Sequence, residues 1–87
     1  MPAPVTIYRT QYCAYCLMAK RLFDRLGVVY TEVSLDDKPE LREELSQRYN
    51  WQTVPMIVVG RTFVGGYSDV AELQRSGELT RLLAGPA

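Results

Sequence analysis

The amino-acid sequence predicts an α/β domain built on a four-stranded mixed β-sheet with helices on its faces. Three observations predict it. Over residues 5–35 a strand-like stretch leads into a helix-period stretch and out into a second strand. A charged amphipathic stretch with end signals on both sides follows, and then two short apolar segments around a tight turn lead into a last helix.

The segment VTIYRT (residues 5–10) alternates β-forming residues and runs straight into the only two cysteines of the chain. Over residues 15–26 the period changes. Ala19, Leu22, Phe23 and Leu26 share one stripe, Lys20, Arg21, Asp24 and Arg25 lie opposite, and Gly27 stops the helix. VVYTEVSL (residues 28–35) is a second strand, and so short a strand-helix-strand unit implies a right-handed crossover and a parallel pair.

Asp37 is expected to cap the second helix, with Pro39 in its first turn and Glu40 at the capping-box position. Leu41, Leu45 and Tyr49 form its buried face, Arg42, Glu43, Glu44, Gln47 and Arg48 face water, and Asn50 is a left-handed C-cap. MIVVG (residues 56–60) and RTFVGG (residues 61–66) read as a hairpin. Ser68 or Asp69 is expected to cap a last helix that buries Val70, Leu73, Leu82 and Leu83 and breaks near Gly77, and the tail AGPA is expected to fray. The order is β-α-β-α-β-β-α in one domain spanning residues 1–87.

Composition narrows the functional classes. Ten Lys and Arg balance ten Asp and Glu without a long block of either sign, which argues against a nucleic-acid or membrane-surface partner. No apolar run approaches a spanning helix and no signal peptide is recognisable, so the expected location is the cytoplasm. Thiols stay reduced there, and a cysteine pair is more readily catalytic or metal-binding than a structural staple. The chain has no histidine, which removes Ser-His and Cys-His dyads and His-ligated zinc. A four-cysteine metal site would need a second subunit or outside thiols.

Three short motifs are candidates for chemistry. In QYCAYC, Cys13 falls at a strand-to-helix junction and Cys16 inside the first helical turn. Unpaired N–H donors and the positive end of the dipole there favour a thiolate, so Cys13 is the candidate nucleophile and Cys16 the resolving thiol. Two small core residues, or half of a metal site, are the alternatives. In TVP, Thr53 to Pro55, the proline precedes a strand; trans is the simple reading, and a cis turn would leave the Val54 backbone free to pair with an extended peptide. In GGYSD, Gly65 and Gly66 allow close backbone approach; free N–H groups near Ser68 could hold a carboxylate and the Asp69 side chain an ammonium group, against the plain alternative of a turn and an ordinary cap.

In their order and spacing these motifs together resemble a glutaredoxin, over nearly the whole chain, with CAYC in place of the dithiol motif CPYC. The resemblance implies a thioredoxin fold and a thiol-disulfide oxidoreductase that uses glutathione, kept reduced by glutathione reductase, to reduce glutathionylated or disulfide-containing proteins. It implies Cys13 as nucleophile, Cys16 as resolving thiol and Tyr15 beside the bound glutathione. Thr53, Val54 and a cis-Pro55 would meet the cysteinyl unit, Gly66, Ser68 and Asp69 the γ-glutamyl end, and Arg42 the glycine carboxylate. Many members carry Lys three residues before the first cysteine; here that residue is Thr10, and Arg9 is the replacement cation, although strand alternation points it to the other face unless the chain bends. Asn50 and Trp51 resemble the monothiol branch. The resemblance therefore carries two alternatives: a [2Fe-2S] carrier, with Cys13 of two chains and two glutathione thiols as ligands, and a redoxin reduced by thioredoxin reductase. The protein is otherwise expected to be a monomer.

Overall fold

The computed structural model describes residues 3–85. Its elements run β1 (Val5–Arg9), α1 (Ala14–Arg25), β2 (Tyr30–Ser34), α2 (Pro39–Tyr49), β3 (Met56–Val59), β4 (Thr62–Gly65), α3 (Tyr67–Ser76) and α4 (Glu78–Leu83). The sheet order is β2-β1-β3-β4. β1 and β2 are parallel, and β3 runs antiparallel to both β1 and β4. The expected four-stranded mixed sheet is therefore the fold found, with the last helix divided in two at Gly77, whose φ is +88°.

Burial follows from strand position. β3 is central and buried along its whole length, which is why it reads as an uninterrupted apolar run rather than an alternating one. On one face of the sheet Val5, Ile7, Ile57 and Val59 pack with Ala19, Leu22 and Phe23 of α1, Val70 of α3 and Leu79 of α4. On the other, Met56 packs with Leu35 and with Leu45 of α2, flanked by Leu41, Tyr49, Trp51, Val54 and Phe63. Phe23 is fully buried, and truncating such a side chain to alanine costs about 3–5 kcal/mol.

Three local expectations are corrected. β2 begins at Tyr30 rather than at residue 28, because the Val28 N–H donates to Phe23 O at 2.9 Å to close the end of α1, and Val29 is left exposed. Asp37 does not cap α2. It adopts φ +58°, Lys38 occupies the cap position without a side-chain hydrogen bond, and Glu40 closes no capping box. The neighbouring Asp36 carboxylate accepts from Ser34 Oγ at 3.0 Å and from the Gln11 N–H at 3.3 Å. α3 is capped by Gly66, one turn ahead of Asp69. Asn50 does form the left-handed C-cap of α2. In the tail expected to fray, Ala84 caps α4 and the Gly85 N–H donates to Leu82 O, while positions 86 and 87 lie outside the described residues. No helix among the described residues is long and apolar enough to cross a membrane.

Candidate active site

β1 delivers the chain to the N-terminus of α1, and Cys13 is the residue that caps it. Its backbone is extended, and its Sγ accepts the Cys16 N–H at 3.1 Å, a place where Ser or Asp usually puts an oxygen. A sulfur held against a helix N-terminus by a directed donor has its negative charge stabilised by both hydrogen bond and dipole. Cys13 is half-buried, whereas Cys16 is 2% exposed against the body of the helix, and the two sulfurs lie at disulfide-bonding distance. Cys13 is thus the more accessible sulfur and Cys16 the nearly closed one.

The loop before β3 comes up against this pair. The Val54–Pro55 peptide bond is cis, the Val54 carbonyl oxygen lies 3.7 Å from Cys13 Sγ, and Thr53 is exposed at the rim. From the far end of the sheet, β4 brings Gly65 and Gly66. Gly65 has φ +121°, and a Cβ there would sit 2.6 Å from Asp69 Oδ2 and 3.2 Å from the Trp51 ring, so this position has room for glycine alone. Gly66 is different, since a Cβ there would meet nothing closer than 3.7 Å. Asp69 Oδ2 accepts the Gly66 N–H at 3.0 Å, which pins the carboxylate at the mouth of α3.

Tyr15, Thr53, Val54, Pro55, Gly66, Ser68 and Asp69 thus converge on one groove of about 310 Å³ beside the dithiol. Trp51 and Tyr67 complete its lining and were missed as site residues in the sequence. Tyr67 lay inside GGYSD, and its ring stacks with that of Tyr15, centroids 6.4 Å apart, a pairing across two helices that no local pattern reveals. Trp51, two residues ahead of Thr53, packs edge-on against Phe63, and its buried Nε1 is without a hydrogen-bond partner.

Arg9 and Arg42 are not in that lining. Arg9 faces a second recess of about 340 Å³ on the other side of the dithiol, shared with Thr10, Gln11, Ala14, Leu17 and Lys20. There its Nε donates to Glu32 at 2.9 Å and its guanidinium lies 4.0 Å from Asp36, while Lys20 Nζ is 3.1 Å from the same Glu32 oxygen. The Lys20 hydrogen bond, helped by Arg9 and opposed by burial, holds the Glu32 carboxyl below its ordinary pKa. Arg42 is half-buried on α2 and joins no ion pair among the described residues. Also among them, no group of three or more His, Cys, Asp or Glu side chains is gathered closely enough to hold a metal ion.

A sheet of order β2-β1-β3-β4, with a cysteine pair at the N-terminus of α1 facing a cis-proline loop, defines a thiol-disulfide oxidoreductase of the thioredoxin fold. Comparison with known proteins makes this narrower. The Glutaredoxin family profile matches residues 5–64. A glutaredoxin of Pseudomonas aeruginosa is 48% identical over 93% of this chain and 96% of its own, and glutaredoxin 3 of Escherichia coli is 37% identical over 93% and 98%. The crystal structure of a buckwheat glutaredoxin-glutathione complex superposes with a TM-score of 0.88 at 33% identity, covering 93% of this chain and 76% of that one. The chain belongs to the glutaredoxin family.

Proposed function

We propose that this oxidoreductase takes its electrons from glutathione and reduces both protein-glutathione mixed disulfides and protein disulfides, in the cytoplasm and as a monomer. The groove beside Cys13 supports this most directly. Its volume suits a small ligand, its floor offers the Val54 backbone to an extended peptide, and its far end presents the Asp69 carboxylate and the first N–H groups of α3. A tripeptide thiol with a free ammonium and carboxylate at its γ-glutamyl end matches that order of groups when its sulfur lies at Cys13. The glutathione in the buckwheat complex belongs to a protein of the same fold and supports the same ligand here.

In this reading the Cys13 thiolate attacks the glutathione sulfur of a mixed disulfide. A bond forms between Cys13 and that sulfur, the original S–S bond breaks, and the client thiolate leaves and takes a proton from water. A second glutathione thiolate then attacks the held glutathione, releasing oxidised glutathione and the Cys13 thiolate. With a protein disulfide, Cys13 forms a mixed disulfide with the client and Cys16 attacks the Cys13 sulfur, expelling the client thiolate and closing the Cys13–Cys16 disulfide. No step needs a general base, as suits a chain without histidine. A [2Fe-2S] cluster does not fit one chain alone: of the two cysteine thiols Cys13 is the reachable one, and the other ligands would have to come from a second chain and from glutathione.

The deciding assay measures reduction of a glutathionylated protein, with electrons supplied either by glutathione and glutathione reductase or by thioredoxin reductase. Turnover with the first system by a colourless monomer is the expected result. Turnover with thioredoxin reductase alone, or a brown dimer without turnover after anaerobic purification with glutathione, would overturn the proposal.

A further inference from the structure

Among the described residues α1 is the helix whose exposed arginines are left without an ion pair. Leu17, Arg21 and Arg25 follow one another at a helical spacing of four, with Met18 three residues before Arg21, on the side away from the buried Cys16, Ala19, Leu22 and Phe23. Leu17 and Met18 are 45% and 40% exposed, and both arginines are exposed. On the other helices the three exposed arginines each meet a carboxylate one turn earlier: Glu44 for Arg48, Glu72 for Arg75 and Glu78 for Arg81. Arg21 has Leu17 and Met18 in those places, and Arg25 has Arg21 and Leu22, so neither joins an ion pair among the described residues. Two like charges a turn apart destabilise the helix that carries them. Arg25 in the last turn complements the dipole, whereas Arg21 does not, and Asp24, the carboxylate one turn after Arg21, makes no ion pair with it and turns to Tyr30 instead.

We propose that this stripe is the docking surface for the protein client and that it selects clients with acidic residues flanking their disulfide. The stripe begins at Leu17, one turn on from Cys13, where the client sulfur must arrive, and extends about 12 Å along α1. The groove at α3 lies on the other flank, so a client lying over α1 leaves that groove free. Carboxylates of the client would supply the partners that α1 lacks, and Leu17 and Met18 would cover an apolar side chain. Charges at such a rim act chiefly on the rate of encounter and on partner choice.

The test mixes the reduced protein, with no glutathione present, with two synthetic disulfide peptides that differ only in Asp or Asn beside the cysteines. It follows one turnover, in which the protein dithiol becomes a disulfide and the peptide two thiols. The Asp peptide should react about tenfold faster at low ionic strength, and added salt should close the gap. The double variant Arg21→Glu, Arg25→Glu should lose the preference yet reduce a small disulfide at the parental rate, and Arg61→Glu, on an exposed residue of the β3–β4 turn, should keep the preference. Equal rates for the two peptides, or a preference that survives salt or the double variant, overturns the proposal. Should the double variant fail to fold, the salt dependence of the parent decides. Because glutathione takes no part, a failure here is distinct from a failure of the glutathione reading.

Discussion

Cys13 stands between two recesses that use polar groups in opposite ways. On the α1 and β2 side, Arg9 and Lys20 meet Glu32, and Asp36 holds Ser34 and the Gln11 backbone, so the charges satisfy one another. On the α3 side, Thr53 and Ser68 are exposed at the rim and Asp69 is fixed by a single backbone N–H while remaining at the surface. The first recess is a structural network that happens to adjoin the dithiol. The second holds polar groups that are free at the rim, and it is the one proposed above to take glutathione. Proximity to the nucleophile does not separate them; what their polar groups are already bonded to does.

That comparison can be broken at several points. Cys13→Ser should abolish turnover by at least about a thousandfold with every disulfide, whereas Cys16→Ser should keep reducing glutathione mixed disulfides and lose protein disulfides; steady-state rates with the two substrates measure both. Next in size, Gly65→Ala should cost about 3 kcal/mol in chemical denaturation, since it forces a side chain into φ +121° and against Asp69, while Gly66→Ala should cost about 1 kcal/mol or less. A Gly66→Ala variant as unstable as Gly65→Ala would show that the turn is not organised as described. Asp69→Ala should raise KM for glutathione about tenfold, roughly 1.4 kcal/mol, with a smaller change in kcat.

The smallest effects belong to the paired recess. Arg9→Ala should leave KM for glutathione within about twofold and lower stability by about 0.5 kcal/mol, as for a partly exposed ion pair. A large KM effect would move Arg9 to the ligand side. Glu32 is held ionised below its ordinary pKa in the folded protein, chiefly by Lys20. Its contribution is therefore present above the unfolded value and lost as pH falls through the lower folded value. Denaturation followed through the acid range should show this loss in the parent and not in Glu32→Gln.

Much of this was legible without coordinates because it depends on neighbours in sequence. The period change after residue 10 marks the passage from β1 to α1, Asn50 ends α2, and the spacing of Cys13 and Cys16 puts one sulfur at the helix mouth and the other in its first turn. The caps were less legible. Asp36, Asp37 and Lys38 all stand before Pro39, and a pattern that allows an aspartate cap cannot know that Asp36 is drawn to Ser34 and Gln11. Arg9 illustrates the same limit. Alternation already pointed it away from the ligand side, but only the parallel register that sets Ile7 beside Glu32 and Arg9 beside Ser34 supplied the carboxylates that hold it.

By itself, then, the sequence determined the order of elements, the dithiol at a helix N-terminus and the three motifs that meet around it, because periodicity, capping and turn chemistry act over a few residues. The tertiary structure alone decided that Val54 O faces Cys13, that Tyr67 stacks on Tyr15, that Trp51 lies under the glycine turn and that the two recesses differ in character. Those are contacts between segments tens of residues apart. They are set by sheet order and packing, which residue spacing along the chain does not encode.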